Sequence, residues 1–257
     1  MPTCADSRNT GGTVPASGKN PMKTAIEPTL PPPPVPTGTQ PSGLRLHPGY
    51  LDRAAQVALL AELRQIFAAA PPFTPRMPKS GRPFTVRMSN CGPLGWVSDE
   101  RGYRYQPTHP ETGRPWPPIP ATLLALWDEL ARYPDPPEAC LINFYAPTAK
   151  MGLHQDRDEE DFAAPVVSIS LGDSCLFRVG GLKRNEPTRA FRLSSGDVLV
   201  LGGGARLAFH GVDRVYPGTS SLLPEGGRIN LTLRRVTRSA GQTARPRSAA
   251  EALHGEQ

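Results

Sequence analysis

The sequence predicts a mainly β, α+β protein: a double-sheet jelly roll with helices packed on one side. Two observations predict it. Beyond residue 139 the apolar period shortens to two, and short strand-like runs recur between punctuation at Gly172-Asp173, Gly180-Gly181, Ser195-Gly196-Asp197 and Gly202-Gly203-Gly204. Before residue 134 two stretches carry instead the three- and four-residue apolar spacing of helices. Short strands in such number, following two helices, suit a jelly roll flanked by helices.

Taken in order, residues 1 to 43 are rich in Pro, Gly, Thr and Ser. The run Pro31-Pro32-Pro33-Pro34-Val35-Pro36 favours extended polyproline with little apolar surface to bury, so a disordered tail is expected. A helix is expected from Tyr50 to Ala69, capped by Asp52, with Val57, Leu60, Leu63 and Phe67 on its buried stripe and Pro71-Pro72 ending it. Residues 72 to 118 are irregular, basic and aromatic, with Phe84–Met88 and Gly102–Gln106 read as the two strands of a hairpin. A second helix is expected from Ala121 to Tyr133 after Pro120, with Leu123, Leu126, Trp127 and Leu130 inward. Seven strands are then read at Cys140–Ala146, Val166–Leu171, Cys175–Val179, Arg189–Leu193, Val198–Leu201, Leu207–His210 and Arg228–Arg235, and the neighbourhood of His154 supplies an eighth. Residues 238 to 257 are polar and read as a frayed tail.

Composition excludes several classes. No apolar run approaches the roughly 20 residues that span a bilayer, and the N-terminus has no continuous apolar segment of a secretory signal. Cys4, Cys91, Cys140 and Cys175 are scattered without a C-x-x-C pair, which argues against a zinc ribbon and suits reduced thiols in a cytoplasm. The formal charge of +6 agrees with a polyanionic partner without establishing one.

The chemistry concentrates in Leu153-His154-Gln155-Asp156, a distant His210 and the late strand Arg228–Arg234. Extended backbone points residues two apart to one side, so His154 and Asp156 can reach one metal ion. Two imidazoles and one carboxylate make the facial triad of non-haem Fe(II) oxygenases, which leaves positions for substrates and O2. In the late strand Arg228, Asn230, Thr232 and Arg234 share one face. The ordinary reading puts that face in water. A ligand cavity turns it inward, where a guanidinium fork grips a carboxylate. Asn143 and Tyr145 repeat the pattern opposite Ile142 and Phe144. The two polar faces, beside H-x-D and a later His, favour the cavity and an anionic cosubstrate.

With these stretches the chain resembles the AlkB family, bacterial Fe(II)- and 2-oxoglutarate-dependent dealkylases of nucleic acids. The resemblance rests on Arg87-Met88-Ser89-Asn90-Cys91-Gly92, Leu94-Gly95-Trp96, Cys140-Leu141-Ile142-Asn143, Tyr145-Ala146-Pro147, Leu153-His154-Gln155-Asp156, Gly180-Gly181-Leu182-Lys183-Arg184-Asn185, His210-Gly211 and Arg228-x-Asn230-Leu231-Thr232-x-Arg234, in order over residues 45 to 236. It implies a double-stranded β-helix core at 119–237 with flanking helices, and an N-terminal helix and nucleotide-recognition lid at 44–118. His154, Asp156 and His210 would bind Fe(II). Arg228 would hold the distal carboxylate of 2-oxoglutarate with Asn143 and Tyr145, and Arg234 and Asn230 would line the inner end of that site. Trp96, Tyr103 and Tyr105 would belong to the lid, with Asp158 and Arg184 beside a flipped base.

The implied activity is oxidative demethylation of 1-methyladenine and 3-methylcytosine in DNA, with single strands preferred, double strands accepted and RNA a further substrate, by a monomer. Related oxygenases of RNA, protein or small molecules, and a non-catalytic nucleic-acid-binding module, stay open. Without the resemblance, the acidic run Asp158-Glu159-Glu160-Asp161 reads as a solvated face. Met88 is placed equally well near the lesion or in the lid core. The lid tip around Ser98 to Arg101 and the loop from Val212 to Gly227 depart from the family pattern.

Overall fold

A computed structural model describes residues 41–238. The tails expected at 1–43 and 238–257 lie outside that range, except for residues 41–43 and 238. The chain begins with strand β1 (Leu44–His47) and helix α1 (Arg53–Ala69). Asp52 caps α1, its carboxylate accepting the Ala55 N–H at 2.8 Å. Leu59, Leu60, Leu63 and Ile66 form the buried face of α1. Val57, expected inward, is 51% exposed, because the stripe runs through 56, 59/60, 63 and 66 and leaves 57 on the far side. Phe67 is half-buried and meets Phe144 edge-on at 4.6 Å.

Strands β2 (Val86–Cys91), β3 (Gly95–Asp99) and β4 (Gly102–Gln106) follow. The expected hairpin partnership is corrected here. The partner of β4 is β3, across the two-residue turn Glu100-Arg101, with Gly102 at φ +105°. Segment Phe84–Met88 instead contributes to β2, which pairs along strand β5 (Ala139–Tyr145). Adjacent strands joined by a tight turn outcompete a pairing that must close a longer loop. Asn90 fixes the hairpin to β2: its amide donates to Trp96 O and accepts the Trp96 N–H, both at 3.0 Å. Helix α2 (Ala121–Ala131) buries Leu123, Leu126, Trp127 and Leu130 as expected. It stops two residues before Tyr133. Arg132 is left-handed at φ +51°, and Pro134 biases Tyr133 away from helical backbone.

Eight strands from β5 onward make the jelly roll: β6 (Met151–His154), β7 (Val166–Gly172), β8 (Ser174–Val179), β9 (Arg189–Leu193), β10 (Val198–Leu201), β11 (His210–Tyr216) and β12 (Arg228–Arg234) complete the set. One antiparallel sheet runs β1-β10-β7-β12-β5-β2 and the facing one β6-β11-β8-β9. The expected strand Leu207–His210 is displaced, since β11 starts at His210 and runs on to Tyr216. A β-bulge at Asp213 breaks the period-two pattern there, which hides the strand from sequence alone. Strand β1, also not anticipated, extends the larger sheet through β10.

Helices α1 and α2 cover the outer face of the larger sheet through Leu63, Leu123, Trp127, Ile142, Ile169 and Leu231. A second apolar cluster fills the space between the sheets. The fold is therefore a double-stranded β-helix with helices on one side, and among the described residues no helix is long and apolar enough to cross a membrane.

Leu231 is fully buried where β12 meets the helices. Leu231→Ala is expected to cost about 2–5 kcal/mol of stability, read from the urea midpoint, through lost burial and a cavity.

Candidate active site

The strand ends bring the metal donors together. His154 closes β6, His210 opens β11, and the two are partners across that ladder. Asp156 turns back just past β6 and is buried. His154 Nε2 lies 3.8 Å from Asp156 Oδ1, and His210 Nε2 lies 3.8 Å from Asp156 Oδ2. All three donor atoms fall within 4.8 Å of one another. The Nδ1 of His154 meets Gly152 O at 2.9 Å, and that of His210 meets Ala208 O at 2.9 Å. A carbonyl only accepts, so each Nδ1 carries the proton and each Nε2 turns a lone pair toward the common point.

Burial, with His154 beside it, pushes the His210 imidazole down to about 4, so it is neutral near pH 7 as a ligand must be. Burial alone would raise the Asp156 carboxyl. Arg234, then His210, His154 and Arg206, outweigh it and hold the group well below the usual carboxylate range. Two imidazoles and one carboxylate fit a ferrous ion with coordination positions left open.

Beside this cluster a cavity of about 520 Å³ lies between the sheets. The polar face of β12 turns into it. Arg228, Asn230, Thr232 and Arg234 line the cavity with Asn143, Tyr145 and Ser168. Register explains the grouping, since Arg228 pairs with Tyr145 and Asn230 with Asn143. Arg228 is only 2% exposed. Its Nη2 donates to Ser170 Oγ at 2.8 Å, while Nε and Nη1 have no protein partner; Asn143 Oδ1 has none either. An interior guanidinium with open N–H groups is costly unless an anion meets it. A dicarboxylic acid with one end on Arg228 and the other toward the metal donors would satisfy that demand.

The inner end is a closed charge network. Arg234 Nη2 contacts Asp156 Oδ2 at 2.9 Å, and its Nε lies 3.5 Å from Glu159. Glu159 also pairs with Arg206 at 3.2 Å, and Arg206 donates to the main-chain oxygens of Asp156 (2.7 Å) and Ala164 (2.9 Å). The Tyr105 hydroxyl donates to Glu159 and accepts from Arg234 at 3.3 Å. Burial pushes the Tyr105 and Tyr145 phenols well up, so both keep their protons. The reading of residues 158–161 as a solvated run is thus corrected: Asp158 and Glu160 are exposed, but Glu159 and Asp161 are buried. The chain weaves in this loop, and Asp161 accepts the Tyr133 hydroxyl at 2.7 Å.

Over the mouth, Trp96 and Tyr103 stack at 5.6 Å with an 18° tilt, and Phe84 meets Trp96 edge-on. The Trp96 indole N–H donates to Asp158 Oδ2 at 2.8 Å. Trp96, Tyr103, Asp158 and Arg184 all border the cavity, and the Arg184 guanidinium lies 5.0 Å over Phe209. Met88 reaches the cavity wall while only 1% exposed. Tyr105 does not border the cavity; it stands behind Arg234. Sequence reasoning missed Glu159, Arg206, Ser168 and Ser170. The alternating serines in an apolar strand were a legible signal of an inward polar row, whereas the partners of Arg206 became visible only with the fold.

Fold and site define a 2OG-Fe(II) oxygenase, and residues 43–234 match the 2OG-Fe(II) oxygenase superfamily. The enzyme uses Fe(II), 2-oxoglutarate and O2. The chain is 57% identical over 194 residues to the alpha-ketoglutarate-dependent dioxygenase AlkB homolog of Caulobacter vibrioides (strain NA1000 / CB15N), covering 76% of this chain and 88% of that one. It is 45% identical over 173 residues to alpha-ketoglutarate-dependent dioxygenase AlkB of Escherichia coli (strain K12), covering 66% and 80%. The solved structure of OsALKBH1 matches with a TM-score of 0.65 at 31% identity, covering 78% of this chain and all of that one. Within the superfamily, the chain belongs to the AlkB family.

His210→Ala is expected to weaken Mn(II) binding by about 100-fold or more, and Arg234→Met by about tenfold through a less firmly held Asp156. Mn(II) titration followed by electron paramagnetic resonance measures both. Wild-type affinity in His210→Ala would show that the three donors do not share one ion.

Proposed function

We propose that the protein removes alkyl groups from N1-methyladenine and N3-methylcytosine in DNA. Single strands are its preferred substrate, and double-stranded DNA and RNA are also used. It acts as a monomer in the cytoplasm, where its buried free thiols Cys91, Cys140 and Cys175 stay reduced. Residues 44–118 supply the lid and residues 119–237 the catalytic jelly roll. His154, Asp156 and His210 hold Fe(II). Arg228, Asn143 and Tyr145 hold the distal carboxylate of 2-oxoglutarate, and Arg234 and Asn230 line its inner end.

The observation that carries the substrate reading is the roof of the cavity. An aromatic pair, Trp96 and Tyr103, borders the same cavity as the metal donors, with the Asp158 carboxylate accepting the Trp96 indole N–H. A methyl group on a paired base edge cannot reach a metal inside a duplex, so the base must leave the stack at a cost of a few kcal/mol. Stacking on an aromatic face offsets that by about 1–3 kcal/mol per base. N1-alkylated adenine and N3-alkylated cytosine are cationic, and Asp158 favours them over the neutral undamaged bases. Arg184, exposed at the rim, faces the strand that carries the base. The bound metal, cosubstrate and O2 together supply the hydroxylation of the methyl carbon, with succinate and CO2 as coproducts. The protein's part is to strip water from the base, aim its methyl group at the His154–Asp156–His210 cluster, and hold the cosubstrate by both ends. The hydroxymethylated nitrogen then releases formaldehyde and the repaired base.

The test supplies the protein with Fe(II) and 2-oxoglutarate without oxygen, adds methylated single-stranded DNA and then air, and scores formaldehyde. Absence of formaldehyde with iron bound would defeat the activity. Methylated RNA competing better than DNA would move the substrate to RNA. Asp158→Asn keeps an acceptor for the Trp96 N–H but loses the charge. It is expected to lower kcat/KM for cationic N1-methyladenine by about tenfold while leaving neutral N1-methylguanine within about twofold.

A further inference from the structure

Arg228 is delivered into the cavity by the segment from Pro217 to Gly227, which forms no helix or strand and contains two prolines and three glycines. The position of the guanidinium therefore depends on what fixes that segment. The structure supplies one residue for it. Asp173 sits alone between β7 and β8 and is 1% exposed. Its Oδ1 accepts the N–H groups of Thr219 at 2.9 Å and Ser220 at 3.2 Å, and its Oδ2 accepts the Gly227 N–H at 2.8 Å. The Asp173 N–H donates in turn to Gly227 O at 2.7 Å. Gly227, the residue immediately before Arg228, is thus held on both its N–H and its carbonyl by one residue. The neighbouring Ser174 N–H donates to Thr219 Oγ1 at 2.8 Å, which ties the same turn a second time.

Close packing makes this grip inflexible. A Cβ on Gly172 would come within 2.5 Å of Gly227 O, and one on Gly227 within 2.9 Å of Tyr145 O. Arg228 then pairs with Gly172 on one side and Tyr145 on the other. A carboxylate meeting three main-chain N–H groups is a strong, charge-assisted anchor. We propose that Asp173 is the positioning residue for cosubstrate binding: acting through Gly227, it sets the depth and aim of Arg228 for the distal carboxylate of 2-oxoglutarate. It touches neither metal nor cosubstrate and is not part of the cavity wall. The inference rests on the reading that Arg228 meets that carboxylate.

The experiment uses the full chain loaded with Mn(II), with binding measured by calorimetry for two probes. N-oxalylglycine keeps the distal carboxylate of 2-oxoglutarate, and oxalate chelates the metal without one. Asp173→Asn is expected to raise the Kd of N-oxalylglycine about tenfold or more and to leave that of oxalate within about twofold. Arg228→Gln, run alongside, should show the same selectivity. If Arg228→Gln discriminates between the probes and Asp173→Asn weakens both alike, or neither, the positioning role is overturned and Asp173 is a general loop brace. If Arg228→Gln itself fails to discriminate, the reading of Arg228 falls, and this inference with it. Where the amide variant yields no folded protein, Asp173→Glu replaces it. It retains the charge but displaces the anchor by a methylene, and it is held to the same selective loss, with equal loss of both probes counting against the proposal.

Discussion

The Arg234–Asp156 contact, buried at 2.9 Å, is the interaction on which the rest of the site depends. It ties the final strand of the larger sheet to the loop that carries a metal donor. Neither charge tolerates that interior alone. Glu159 and Arg206 complete the group, so two carboxylates and two guanidiniums balance before any ligand arrives. A divalent cation then adds positive charge that its protein donors no longer cancel, since Arg234 already answers Asp156. An anionic cosubstrate is what restores the balance. On the function proposed here, Arg228, with its open N–H groups at the other end of β12, would meet the second carboxylate of such an anion.

The same network explains why the β3–β4 hairpin stays close to the His154–Asp156–His210 cluster. The hairpin β3–β4 has its own short ladder, and several side-chain hydrogen bonds also bind it to β2, the loop after β6 and β12. Asn90 grips the backbone of Trp96, Asp158 holds its indole, and Tyr105 reaches from β4 into the Glu159–Arg234 pair. Each tie uses a polar group, and each would lose its partner if the hairpin swung away. Hairpin placement and charge balance at the inner end of the cavity are thereby parts of one arrangement.

Resemblance and residue patterning together made most of the site readable. H-x-D with a later His, and two strands with polar alternate faces, were enough to propose a metal and an anion. What they could not do was separate exposed from buried members of the run Asp158–Asp161. The four acidic residues look alike in sequence, and the bend of the loop alone sends Glu159 and Asp161 inward. Tyr105 illustrates the same limit, since its strand was legible while its inward hydroxyl and its absence from the cavity wall were not.

The amino-acid order by itself determined the helix faces around Leu60 and Leu123, the strands beyond residue 139 other than β11, and which residue types could hold a metal and a dicarboxylate. These follow from local backbone geometry, period and donor chemistry, which nearest neighbours specify. Tertiary structure alone decided that β2 leaves its supposed hairpin for the sheet edge and that Asp213 bulges out of β11. It alone decided that Arg206 and Asp173, unremarkable in sequence, anchor the metal loop and the approach to Arg228. Those outcomes depend on pairings between segments about 50 residues apart, as with Arg206 and Asp156 or Asp173 and Gly227, and such pairings exist only once the two sheets have closed on each other.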